Sequence, residues 1–254
     1  MSVLWCRHPL GLCDLCEVRE GDQEEAKVSR MFLIDGKPMK TWNVFVGCRF
    51  ECSYCSARKA ALTRLKHNYY YLDGFTPKFC ATRMNQRFNP GDFIFVAYMG
   101  DIAWCPREWV ERILARIRIS PGNNFLFCSK NPGAYKKWNV EFPPNLYLGT
   151  TLETNRDYRL TKAPPPLLRL KDLVKIPWPR KFVSIEPIMD FDLEIFVSWL
   201  HWLKPAIIEV GADNYHNHLQ EPSGSKVASL LEHLRDSCPT VVEKEGLERL
   251  GIKP

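Results

Sequence analysis

The sequence has no long hydrophobic run. Its longest uninterrupted apolar stretch, Phe93 to Met99, falls far short of the roughly 20 residues that cross a bilayer, so no membrane-spanning helix is expected. The N-terminus, MSVLWCRHPLGLC, lacks the sustained apolar core and the small-residue cleavage site of a secretory signal. An exported disulfide scaffold is therefore not expected. No repeat of 20–50 residues and no low-complexity tract occurs, which argues against solenoids and propellers. Strong charge is missing too: 35 Lys and Arg stand against 29 Asp and Glu, a formal net +6. That is compatible with a nucleic-acid partner without requiring one. What is present in unusual number is cysteine, ten in 254 residues, alongside eight tryptophans. In a reduced, cytoplasmic protein, which these absences predict, clustered cysteines bind metal or do redox chemistry.

Short β-branched and aromatic runs bounded by Gly, Pro, Asn or Asp predict strands at Thr41–Gly47, Asp92–Met99, Asn124–Ser129, Leu146–Leu152, Lys181–Glu186 and Ala206–Val210. Thr240–Glu243 offers a short seventh. Helical patterns lie between them at Ser56–Lys66, Arg107–Ile119, Asp192–Leu203 and Ser225–Asp236, with shorter, less regular stretches at Pro132–Trp138 and Leu167–Val174. Pro106 and Ser223 suit helix beginnings. Strands alternating with helices predict a parallel sheet of βα units. Over residues 41–254, six units take roughly 36 residues each, whereas a closed eight-unit barrel allows about 31. The expectation is α/β: an incomplete (β/α)6 TIM-like barrel over 41–254 behind a short cysteine-containing N-terminal extension, 1–40. A doubly wound open sheet is the alternative.

After the first strand the chain reads Cys48-Arg49-Phe50-Glu51-Cys52-Ser53-Tyr54-Cys55. Three thiols within eight residues, between a strand and a helix, let one loop ligate three irons of a cubane and leave the fourth open. A zinc knuckle on the same thiols is the competing reading, although this spacing is atypical for zinc ribbons.

The loop resembles the CxxxCxxC signature of the radical S-adenosylmethionine (radical SAM) superfamily, and Tyr54, the aromatic before the third cysteine, matches that pattern. The resemblance implies a [4Fe-4S] cluster on Cys48, Cys52 and Cys55, with S-adenosyl-L-methionine chelated to the open iron. It further implies reductive cleavage to a 5′-deoxyadenosyl radical, an electron donor such as a flavodoxin or ferredoxin, and a partial (β/α)6 barrel. The segments Thr41-Trp42-Asn43, Gly47-Cys48, Ser129-Lys130-Asn131-Pro132, Leu148-Gly149 and Ser184-Ile185-Glu186-Pro187 together resemble a phage- and prokaryote-encoded subgroup whose reaction is not established.

In such a barrel the chemistry lies at the C-terminal strand ends. Tyr98-Met99-Gly100-Asp101 stands where the superfamily has a Gly-Gly-Glu-like segment that holds the methionine amino group, so Gly100 and Asp101 are cofactor candidates. A turn cap is the alternative for Asp101. Lys130 at the next strand end would pair with a carboxylate or phosphate, or lie solvated in its loop. Period-two alternation puts Thr151 and Glu153 on one face. The resemblance assigns this strand to the cofactor's ribose and carboxylate, adding Asn155, for which helix capping is the alternative. Glu186, an acid ending an apolar strand, shares a face with Ser184 and is expected to contact ligand, because burying it unpaired is costly. The polar run Glu209-Val210-Gly211-Ala212-Asp213-Asn214-Tyr215-His216-Asn217-His218 carries an HxH pair; it would bind a substrate or a metal, for which two histidines are weak evidence, or form a polar surface loop.

Cys6, Cys13 and Cys16, with His8, form a second candidate metal set. It suits zinc, an auxiliary iron–sulfur cluster borrowing Cys80 or Cys105, or no metal. Cys128 and Cys238 read as buried small hydrophobes. The expected function is a radical SAM enzyme acting on an unidentified substrate, with a nucleic-acid base preferred on charge and tryptophan content. The alternatives are a zinc-stabilised nucleic-acid-binding module, supported by the pairing of Lys136-Lys137 with Trp138, and a non-catalytic iron–sulfur electron carrier.

Overall fold

The computed structural model describes residues 33–34 and 37–252. Seven strands, β1 (Lys40–Trp42), β2 (Phe93–Val96), β3 (Asn124–Ser129), β4 (Leu146–Thr151), β5 (Lys181–Ile185), β6 (Ile207–Val210) and β7 (Thr240–Glu243), form one sheet. Every pairing is parallel and the strands lie in chain order. The helices are α1 (Ser56–Leu62), α2 (Arg107–Arg118), α3 (Gly133–Lys137), α4 (Pro166–Val174), α5 (Leu193–Leu203) and α6 (Gly224–Ser237).

Strand order decides between the two expected architectures. A doubly wound sheet reverses its order at a switch point. This one does not reverse, so right-handed crossovers carry successive helices to one face. The largest core cluster agrees: alternate strand residues such as Ile94, Phe125, Phe127, Val183 and Ile208 pack with the buried stripes of α2, α4, α5 and α6. The result is a curled half-barrel, open between β1 and β7, in which the short seventh strand offered at Thr240–Glu243 joins the six expected. Ser223 caps α6 and α2 follows Pro106, as the sequence predicts.

The opposite, concave face is layered. Near the N-terminal strand ends, Met39, Phe93, Leu126, Phe182, Ile207 and Val242 close the bottom with a small apolar cluster. Each such side chain contributes roughly 1.5–3 kcal/mol by leaving water. Two residues further along, the same face turns polar: Thr151 stands beside Ser184, and Ser184 beside Glu209, across β4, β5 and β6. Period-two alternation thus puts an oily plug below and a polar floor above.

Two predicted strands are shorter than expected, and both differences build the site. β2 stops at Val96 because Ala97 takes a left-handed conformation, φ 61°. β1 stops at Trp42, and Phe45–Val46 leaves to pair antiparallel with Lys78–Phe79. The chain then returns as a single bridge, Gly47 to Gly100. Gly47 has φ +83°, and a Cβ there would fall 2.2 Å from the Thr76 carbonyl oxygen, so only glycine fits. The helix expected to reach Lys66 likewise ends at Leu62.

Candidate functional site

The bridge at Gly47 launches the cysteine loop over the C-terminal end of the sheet. The Cys48 N–H donates to the Phe75 carbonyl (3.0 Å), and the Cys55 Sγ accepts from the Arg58 N–H (3.3 Å), capping α1. Between these points the loop is clamped by the segment after β4. Ser53 N–H donates to Leu160 O (3.0 Å), Lys162 N–H to Phe50 O (2.7 Å), and the Cys52 thiol to Thr161 Oγ1 (3.1 Å). Phe50, Cys52 and Tyr54 are buried in that contact.

The loop covers part of a cavity of about 460 Å³ set in the polar floor, a size ordinary for small-ligand sites. Cys52 and Cys55 line it, and Cys48 is packed against the buried clusters on either side of the loop. All three are free thiols. Burial pushes the Cys48 and Cys55 thiols up, and the charge of Asp101 adds to the rise at Cys48. Three soft sulfur donors on one short loop at the mouth of a cavity suit an iron–sulfur cluster with one iron facing the ligand space. Among the described residues no three His, Cys, Asp or Glu side chains are gathered to hold a single metal ion.

Of the residues expected at the cofactor, Tyr54, Gly100, Thr151 and Glu186 line the cavity. Ser184 lines it beside Glu186, as alternation requires. Gly100 has a structural reason as well: a Cβ on it would fall 2.7 Å from the Gly47 carbonyl oxygen.

Three candidates lie elsewhere, each because its polar atoms are already engaged. Asp101 is buried, accepting from Ser129 Oγ (2.6 Å), Ala103 N–H (2.9 Å) and Lys130 N–H (2.9 Å), which ties the end of β2 to the end of β3. Asn155 exchanges hydrogen bonds with the backbone of Asp192, 37 residues further along the chain. Glu153, 1% exposed, accepts from the Tyr54 hydroxyl and from Lys130 on Oε1, and from Arg169 Nη1 on Oε2 (2.9 Å). Burial alone would raise Glu153, but the two cations hold it at about 2. Lys130 has the carboxylate partner expected of it in Glu153, lies 5.3 Å over the Tyr54 ring, and also lines the cavity. This network braces the cysteine loop through Tyr54 against β3, β4 and α4.

The far wall holds a second buried group. Lys244, just past β7, pairs with Glu186, and beside them Glu209 of β6 is 1% exposed. Burial pushes Glu209 up to about 8; Lys244 pulls it down and Glu186 pushes it further up. Glu209 Oε2 is buried with no hydrogen-bond partner among the described residues. Sequence reasoning took Glu209 only as the start of a polar run and passed over Lys244. The signal for Glu209 was the same as for Glu186, an acid in an apolar strand at inward parity; Lys244 carried none, since its partners come from other strands. Arg169 stood on the buried stripe of α4 with Leu170 and Leu173.

Other expectations change with burial. Trp138 is buried and its indole N–H donates to Cys105 O (3.1 Å), so it offers no exposed aromatic–basic pair with Lys136 and Lys137. Cys128, expected in the core, lines the cavity, whereas Cys238 is buried as expected. Cys80 and Cys105 are enclosed in apolar clusters. His216 and His218 ride on a loop organised by Asp213, which accepts from Asn217 N–H (2.6 Å) and Nδ2 (2.6 Å). Cys6, His8, Cys13 and Cys16 lie outside the described residues. No helix among the described residues is long and apolar enough to cross a membrane.

A family model described as "Protein of unknown function (DUF5131)" matches residues 38–218. No curated protein matches the chain. Among solved structures, a variant of spore photoproduct lyase matches with a TM-score of 0.57 at 10% identity, covering 80% of this chain and 75% of the lyase. A second lyase variant, holding a dinucleoside spore photoproduct, matches at TM-score 0.52 and 10% identity, covering 78% of this chain and 61% of that one. A third, with bound AdoMet and dinucleoside spore photoproduct, matches at TM-score 0.51 and 10% identity, covering 84% and 66%. This chain thus spans about three fifths to three quarters of the lyase chains. The likeness is one of fold.

Proposed function

The chain belongs to the DUF5131 family, and for it we propose the function of a radical SAM enzyme, of the phage- and prokaryote-encoded subgroup, that abstracts hydrogen from a substrate held in the concave cavity. One observation carries this reading: two thiols of the Cys48–Cys55 loop open into a polar cavity at the C-terminal ends of an ordered parallel half-barrel. The AdoMet bound to a lyase of similar fold supports it.

Cys48, Cys52 and Cys55 would hold the [4Fe-4S] cluster. When bound, the cluster and S-adenosyl-L-methionine supply a one-electron cleavage, fed by a flavodoxin or ferredoxin, that yields the 5′-deoxyadenosyl radical. The chain's own residues position and enclose. Gly100, Thr151 and Glu186 are proposed to contact the S-adenosyl-L-methionine. Asp101, Glu153 and Asn155 act one step back: Asp101 fastens two strand ends, Asn155 fastens the loop before α5, and Glu153 holds Tyr54 and with it the cysteine loop. The apolar layer below the floor closes the base of the cavity to water, which protects a reactive species from quenching. Seven free thiols among the described residues suit the reducing cytoplasm. For the substrate we favour a nucleic-acid base, in line with the dinucleoside photoproduct bound by lyases of this fold.

Anaerobic reconstitution tests the proposal. The protein should take up about four irons on the triplet and, with a reductant, convert S-adenosyl-L-methionine to 5′-deoxyadenosine. A protein that binds only zinc and leaves S-adenosyl-L-methionine intact under these conditions contradicts it.

A further inference from the structure

Glu209 Oε2 is a buried carboxyl oxygen without a hydrogen-bond partner among the described residues, in a side chain that lines the cavity. Native structures rarely leave such an atom unpaired unless water, an ion or a ligand completes it. The strand around it, Ile207-Ile208-Glu209-Val210, is otherwise apolar and fully buried, so packing alone would favour a hydrophobe at this inward position. Ser184 hydrogen-bonds the carboxyl from β5, and the Lys244 ammonium lies close by, held by Glu186. Flat apolar surfaces stand in the same cavity: Phe95 and Tyr98, edge to face with centroids 5.6 Å apart, and Tyr215.

We propose that Glu209 is the substrate-recognition residue of this cavity, its Oε2 taking an N–H while Lys244 takes the neighbouring C=O, so that the site selects the cyclic-amide edge of an oxo-pyrimidine or oxo-purine base. The inference deepens the function proposed above and rests on the cavity being the substrate site. An acceptor and a donor side by side are the complement of an N–H beside a C=O. Aromatic walls hold the ring plane by stacking. The far wall, and not the cysteine loop, then chooses the substrate. The environment that lifts Glu209 toward neutrality also lowers the cost of keeping its carboxyl buried before ligand arrives.

The test measures equilibrium binding and needs no radical chemistry. Full-length protein is titrated calorimetrically with uridine and guanosine, with their ring-N-methylated forms 3-methyluridine and 1-methylguanosine, and with S-adenosyl-L-methionine. At least one parent nucleoside should bind, and methylation of its amide nitrogen should weaken it about tenfold or more. Glu209→Leu should weaken the same parent nucleoside to a similar degree, while S-adenosyl-L-methionine binding, which rests also on Gly100 and Thr151, should be retained. Equal binding of parent and methylated forms overturns the proposal, as does failure of both parents to bind, or loss of S-adenosyl-L-methionine binding in Glu209→Leu. If Glu209→Leu does not fold, the methylated pairs on the wild-type protein decide alone. Parallel assay of 5′-deoxyadenosine separates the two readings. Cleavage without amide-dependent binding removes this inference and keeps the enzyme; amide-dependent binding without cleavage does the reverse.

Discussion

Two glutamates, Glu153 just past β4 and Glu209 within β6, are each 1% exposed, yet their surroundings are opposite. Glu153 meets three donors, Tyr54, Lys130 and Arg169, and is held at about 2. Glu209 shares one lysine with another carboxylate, keeps an unpartnered oxygen, and is pushed to about 8. A saturated carboxylate has nothing left for a ligand, so it fixes structure; here it fixes the cysteine loop. A carboxyl left short of partners by its own fold is available to something else. The near wall of the cavity is therefore built to position a cofactor loop and the far wall to receive a ligand.

Substitutions on the two walls should separate sharply. The largest effect belongs to the loop itself: Cys48→Ala, Cys52→Ala or Cys55→Ala should reduce 5′-deoxyadenosine formation to background with the fold retained by circular dichroism. Glu209→Gln should retain most of that reaction, since it leaves the three cysteines in place and the amide keeps the shape of the Glu209 side chain.

Next come the stability effects of the saturated network. Glu153→Ala strands two cations in the interior and should destabilise the protein by about 3–5 kcal/mol in urea titration. A smaller loss, about 1.5–3 kcal/mol, is expected for Tyr54→Phe, which removes one charged hydrogen bond from the same carboxylate.

In the pH dependence the walls differ in sign. Glu153 lies below its ordinary value of 4.5, so its contribution is present above that pH and is lost as pH falls toward 2. Glu209 lies above 4.5, so the folded state holds its proton more tightly and stability falls as pH rises from about 4.5 to about 8. Subtracting the profile of Glu209→Gln from that of wild type should reveal this decline, at most about 1.4 kcal/mol per pH unit. A flat difference would remove the contrast between the two carboxyls.

Much of the fold was legible in the sequence because alternation and helix stripes are local properties. The strands at Asn124–Ser129 and Leu146 onward, the capped starts of α2 and α6, and the triplet on its loop all appear where expected. The shortened ends of β1 and β2 did not show, since a left-handed Ala97 and the departure of Phe45–Val46 toward Lys78–Phe79 depend on tertiary contacts. For the site, the sequence located the polar strand ends without distinguishing saturated residues from available ones. Asp101, Glu153 and Asn155 looked like ligand contacts because their partners, Ser129, Arg169 and Asp192, are brought to them only by the fold. Lys244 was invisible for the same reason, as its role arises from β7 lying beside β6.

The most direct measurement is the yield of 5′-deoxyadenosine from anaerobically reconstituted wild-type protein, run beside Cys52→Ala and Glu209→Gln with the same reductant. The account predicts product from wild type and Glu209→Gln and none from Cys52→Ala. No product from iron-loaded wild type, or equal product from Cys52→Ala, would contradict it.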